Sequence, residues 1–181
     1  VRKQVLSIVY KPYNEEKRTL IFHPHFLKEY NGRWNLFGHA EGHSPENGYN
    51  IPLDRIQAKP CVRPGIEYIA APPLFYEHFF KDIVGVSHTK DTTKYDMVLR
   101  AHTYYMYKLT ETKPIHLSQS IATPWGDHED GTYGEFSLKV EVNNEFFGRI
   151  LQMGAGLEIV SPKEVRDLFK QRVKDLAKLY E

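Results

Sequence analysis

Residues 23–39 read HPHFLKEYNGRWNLFGH, and the Asn31-Gly32 pair at their centre decides how the first third of the chain folds. Both residues tolerate the positive φ angles of a two-residue hairpin turn. The runs on either side are rich in aromatic and β-branched residues and too short for stable helices. Strands are expected over 5–10, 17–23, 26–30, 33–39 and 49–58, with Asn47-Gly48 as a second turn signal before the last. Five short strands in a meander hardly bury a flat face, so a small closed or partly closed barrel is the economical arrangement. Within the second arm of the hairpin, Trp34 and Leu36 alternate with Arg33 and Asn35, so the two pairs face opposite sides. Size and apolarity assign Trp34 and Leu36 to the core. Arg33 and Asn35 are then left facing outward or into a cleft.

The rhythm changes after residue 59. Pro60, Pro64, Pro72 and Pro73 mark a connector over 60–94 that cannot sit in a central strand. Inside it, Leu74, Phe75, His78 and Phe79 fall at helical spacing, Ile83-Val84-Gly85-Val86 is strand-like, and 88–94 has the composition of a loop. From residue 95 the elements alternate: a strand over 95–100, a helix over 102–111, a strand over 118–124, and a strand in which Phe136, Leu138, Val140 and Val142 alternate with Ser137, Lys139 and Glu141. Asn144 is expected to cap a helix that runs to about Met153 and stops at Gly154. A strand over 157–160 follows. Ser161, Pro162 and Glu164 then have the pattern of a capped helix start, with Val165, Leu168, Phe169, Leu176 and Leu179 as its apolar stripe. The order strand–helix–strand–strand–helix–strand over 95–181 is that of a ferredoxin-like α+β domain with an appended helix.

Composition narrows the function classes. The 181 residues carry 24 Lys and Arg against 23 Asp and Glu, for a net charge of +1, so any basic binding surface must be local. Cys61 is the single cysteine, which excludes an intrachain disulfide and a cysteine-rich zinc site and fits a cytoplasmic home. No apolar run approaches the ~20 residues of a membrane span. The chain begins at Val1 rather than Met and is read as processed or as a fragment.

Several residues together resemble a known family. In the first half these are Pro24, Phe26-Leu27-Lys28, Arg33-Trp34, Leu36 and Leu53-Asp54-Arg55-Ile56. Phe80-Lys81-Asp82-Ile83-Val84-Gly85-Val86 lies between the halves. In the second half they are Pro114-Ile115-His116, Ser118-Gln119, Asn144-Glu145-Phe146, Gly154, Glu158-Ile159-Val160-Ser161-Pro162 and Val165-Arg166. Residues 1–59 resemble a WYL domain, a small Sm-like or SH3-like β-barrel, and 95–181 resemble the ferredoxin-like C-terminal extension (WCX) that follows it. The resemblance implies the ligand-sensing region of a bacterial transcriptional regulator. Its DNA-binding helix-turn-helix domain would be missing here from the N-terminal side, its ligand would be an anion such as a nucleotide or nucleic acid fragment, and a homodimer would be its assembly. No enzyme activity, cofactor or membrane partner is implied.

The same resemblance points to His25 and Arg55 as ligand-binding residues beside Arg33 and Asn35. A guanidinium offers the planar fork that phosphate or carboxylate requires, although Arg55 also suits a structural pair with Asp54. Two departures stand out. Asn35 replaces the tyrosine of the family's motif, and Asn50 replaces a basic residue. The loss of an aromatic platform is worth roughly 1–3 kcal/mol per stacked base.

Two readings compete with a sensor. The first is a metal-dependent hydrolase using His23, His25, His39 and His43. However, His39-Ala40-Glu41-Gly42-His43 lacks the spacing of a zinc-protease helix, and two strand-borne histidines do not complete a three-ligand site. The other is a barrel that binds single-stranded nucleic acid directly. His116 and Ser118 lack the turn and glycines of a nucleophile elbow and read as structural. Tyr104, Tyr105 and Tyr107 on the expected helix bridge core and rim.

Overall fold

Asn31 and Gly32 sit at φ of 52° and 78°, the paired left-handed conformation that closes a two-residue hairpin. In the computed structural model, which describes residues 2–44, 48–89 and 93–181, this turn joins β2 (Arg18–Tyr30) to β3 (Arg33–Ala40). The chain divides into two compact units, Val1–Phe79 and Phe80–Glu181. The first holds β1 (Leu6–Tyr10), β2, β3, β4 (Tyr49–Pro52) and β5 (Cys61–Val62) in one antiparallel sheet of order β4-β3-β2-β1-β5. A 3₁₀ turn at Leu53–Arg55 returns the chain from β4 to the start of the sheet. There Tyr10 bridges Ile56, Lys11 N–H donates to the Arg55 carbonyl, and Gln57 N–H donates to the Val9 carbonyl. The expected strand over 49–58 therefore ends at Pro52, and its remainder closes the sheet onto β1.

β2 is one 13-residue strand rather than two, bent at a register shift between Pro24 and Phe26. Gly38 lies opposite Pro24. A Cβ there would approach the His23 carbonyl oxygen to 2.3 Å and the Phe22 ring to 2.5 Å, so only glycine lets the strands meet at the bend. One face of the sheet forms a core of Ile8, Tyr10, Leu20, Phe22, Ala40 and Ile51, against which Leu6, Leu36, Tyr49 and Ile56 pack. The other face is covered by the chain running from Glu67 into helix α1 (Phe75–Lys81). Phe37 is fully buried there, its ring stacked on Phe26 at 5.2 Å and edge-on to Tyr76 and Phe79.

This second cover corrects the face assignment along β3. Asn35 is 2% exposed and Trp34 52% exposed, the reverse of the expectation from size. Phe37 meets the connector and Asn35 lies on the same side of the strand, while Trp34 shares the opposite side with Leu36 and is left exposed. Asn47 lies outside the described residues, and its neighbour Gly48 takes a φ of 53°. Of the expected loop over 88–94, residues 90–92 also lie outside them.

The second unit places β6 (Lys94–Ala101), β7 (Ser120–His128), β8 (Gly131–Glu141) and β9 (Leu157–Ser161) in an antiparallel sheet of order β7-β8-β6-β9. Helices α2 (Tyr104–Thr112) and α3 (Asn144–Gln152) connect β6 to β7 and β8 to β9. Met97, Leu99, Phe136, Leu138, Val140 and Ile159 are buried, and Tyr107 of α2 stacks on Phe136 at 5.0 Å. The alternation expected in β8 holds through Val140 and fails at its end, where Glu141 is 1% exposed and Val142 only half-buried, because Glu141 accepts from Thr89 Oγ1 at 2.9 Å.

Three local expectations are corrected. The segment 83–86 forms no strand: it makes a single bridge from Ile83 to Glu141 and turns at Gly85, whose φ is 83°. The Val84 and Ser87 carbonyls are taken by a side chain, Asn143 Nδ2 donating to both at 2.8 Å. Asn143, not Asn144, caps α3, its Oδ1 accepting from Phe146 N–H at 2.7 Å. Helix α4 (Lys163–Ala177) is preceded by Pro162 without a side-chain cap, because Ser161 is paired with Val98 in the sheet. Of its expected stripe only Val165 is buried, Phe169 stacks on Phe147 at 5.8 Å, and Leu168, Leu176 and Leu179 are exposed.

Candidate anion-binding site

The end of the first sheet where β1 finishes and β3 begins gathers four functional side chains. Arg33 is the first residue of β3, fixed there by the hairpin turn. Asp54 and Arg55 come from the 3₁₀ turn that carries the chain back to β1. Tyr13 comes from the turn between β1 and β2 and is 68% exposed. Arg33 Nη2 donates to the Tyr13 hydroxyl and to Asp54 Oδ2, both at 2.7 Å. The Arg55 guanidinium lies 3.4 Å from the centre of the Tyr13 ring and that of Arg33 5.9 Å, a cation–π arrangement on the ring's quadrupole.

The charges in this cluster do not cancel. Two guanidiniums face one carboxylate, which leaves one positive charge to attract an anion. Hydrogen bonds from Arg33 and then Arg55 hold the Tyr13 hydroxyl below its ordinary pKa. The hydrogen bond to Tyr13 raises Arg33. At Arg55 burial opposes the charge, and hydrogen bonds with Tyr13 and Tyr10 outweigh it. Arg55 Nε is buried with no hydrogen-bond partner among the described residues, a donor whose satisfaction is worth on the order of 1–3 kcal/mol.

The structure brings together two of the four residues expected from sequence, Arg33 and Arg55. Asn35 lies on the covered face, where its Nδ2 donates to the Arg33 carbonyl at 3.1 Å. His25 lies where β2 bends. Its Nε2 is 3.1 Å from the Ile69 carbonyl and so donates, which leaves Nδ1 to accept the Tyr76 hydroxyl at 2.7 Å. Burial lowers the His25 pKa and raises that of Tyr76. His23, fully buried beside it, accepts the Ile69 N–H on Nδ1 at 3.0 Å. The two histidines thus clamp the backbone of Ile69 from both sides, and the Tyr68 hydroxyl adds a bond to the Pro24 carbonyl.

Tyr13 was not singled out by sequence, since nothing local separates it from any turn tyrosine. Its partners lie 20 and 42 positions further along the chain. Among the described residues no group of three or more His, Cys, Asp or Glu is placed to hold a metal ion. Ser118 Oγ lies 2.8 Å from His116 Nδ1, donates to the Lys139 carbonyl and accepts the Lys139 N–H. That pair ties the chain entering β7 to β8, a structural contact.

Comparison with known proteins adds two findings. Residues 93–177 match the family model of the WCX domain. Among solved structures, the proteasome accessory factor B/C (PafBC) of Arthrobacter aurescens is similar with a TM-score of 0.40 and 12% identity, over 95% of this chain and 25% of that one. The chain spans about a quarter of the length of that protein. No curated protein sequence matches it.

Proposed function

Because residues 93–177 match the family model of the WCX domain, we propose that the chain is the sensing and effector region of a bacterial transcriptional regulator. On this reading 1–59 is a WYL barrel that receives an anionic ligand, 60–94 is a linker, and 95–181 is the WCX extension. The return of the 3₁₀ turn onto β1 supports the Sm-like barrel, and the strand order β9-β6-β8-β7, with helices after its first and third strands, supports the ferredoxin-like assignment. The regulator acts without catalysis. A ligand that binds one conformation better than another shifts the equilibrium between them by its difference in affinity, and a DNA-binding domain elsewhere in the protein reads the shift.

The observation that carries the ligand class is the pair Arg33 and Arg55 around Tyr13, with a surplus positive charge. Paired guanidiniums suit phosphate esters, so the ligand is a nucleotide or a short single-stranded nucleic acid. A binding ligand raises the melting temperature by mass action. Mononucleotides and short single-stranded oligonucleotides are expected to do so with the wild-type chain and not with Arg55→Ala. An equal rise in the variant removes Arg55 from the site.

A further inference from the structure

Resting on the reading of Arg33 and Arg55 as an anion site, we infer that Tyr13 is its positioning residue. Its ring is the platform on which a flat aromatic group of the ligand stacks, so the site selects a nucleotide over a sugar phosphate of equal charge.

The ring is held in place although it is not buried. Its hydroxyl accepts from Arg33 Nη2 at 2.7 Å, and one face rests 3.4 Å from the Arg55 guanidinium. At 68% exposure it contributes little to the core of the first unit. The face opposite Arg55 is therefore open, and a cation beneath a π system supports stacking above it. Fixing a ring before the ligand arrives lowers the ordering cost of binding. The guanidiniums beside it remain available to an anion. Among the described residues the hydrogen bonds of Arg33 run through Nη2, leaving Nε and Nη1, while Arg55, whose Nε is buried, contributes its charge. A phosphate on these donors places an attached base beside the ring.

The test uses the whole chain with two probes, adenosine monophosphate and ribose 5-phosphate, which share a phosphate and differ in the base. Titration calorimetry should show the wild type binding the nucleotide roughly 5- to 150-fold more tightly, the range of one base stacked on an aromatic ring. In Tyr13→Ala the two probes should come within about threefold of each other. Tyr13→Phe should keep the preference, because the ring remains. If the wild type binds both probes alike, or if Tyr13→Ala keeps the preference, the stacking role is overturned and the anion site stands. Tighter nucleotide binding in Tyr13→Ala also overturns it, since the ring would then block the site. If neither probe binds, the anion reading falls with it.

Discussion

Replacing Asn143 by alanine should destabilise the second unit by about 3 kcal/mol. The side chain is 2% exposed and makes three hydrogen bonds, one from Phe146 N–H that caps α3 and two to the Val84 and Ser87 carbonyls. Loss of an N-cap costs about 1 kcal/mol. The buried Val84 carbonyl loses its donor for about 1.5 kcal/mol, whereas Ser87 is exposed and water limits its cost to about 0.5 kcal/mol. For a unit of this size the sum lowers the melting temperature by ~12–24 °C. The assay is chemical and thermal unfolding followed by the fluorescence of Trp125, which packs against Tyr104 and Tyr107, in a Trp34→Phe background that removes the other indole. Asn143→Ser keeps a capping oxygen and lacks the two donors, so it should recover about 1 kcal/mol of the loss. A full recovery by serine, or a loss below 1 kcal/mol in the alanine variant, refutes the idea that Asn143 latches the 82–87 segment to the end of β8.

The first unit gives two further tests. Phe37→Ala should cost about 3–5 kcal/mol because it empties a fully buried ring site, while Trp34→Ala should stay within about 0.5 kcal/mol; urea unfolding ranks them, and the reverse order would restore the face assignment expected from size. His25 and His39 both have pKa values lowered by burial. The unfolded chain therefore binds their protons first, and stability, complete above the ordinary histidine value of about 6.5, should fall as pH drops below it toward the lowered folded values. Each histidine contributes at most about 1.4 kcal/mol per pH unit inside that window, so the urea midpoint should be lower at pH 5.5 than at pH 7.5 and the slope shallower in His25→Gln.

Features set by neighbours in sequence were legible, and those set by distant chain were not. The Asn31-Gly32 turn and the alternation over 136–140 in β8 each depend on a few adjacent residues and formed as expected, whereas Glu141, assigned to the wet face, is buried by contacts with the distant 88–89 segment. Trp34 and Asn35 exchanged roles because their surroundings depend on the 67–79 segment, which covers one face of the hairpin from more than 30 positions away. Ser161 looked like a helix cap until its pairing with Val98 placed it in a strand. At the candidate site, Arg33 and Arg55 were expected for their chemistry. Tyr13, which joins them, carries no local mark, and only the closing of the sheet brings it between the two.

The salt dependence of binding to a short single-stranded oligonucleotide tests the anion site most directly. Each phosphate neutralised on a single strand contributes about −0.7 to the slope of log affinity against log salt. The one surplus positive charge of the Arg33, Arg55 and Asp54 cluster predicts a slope of about −0.7, falling toward zero in Arg55→Ala. A wild-type slope near zero, or an unchanged slope in Arg55→Ala, would contradict the account.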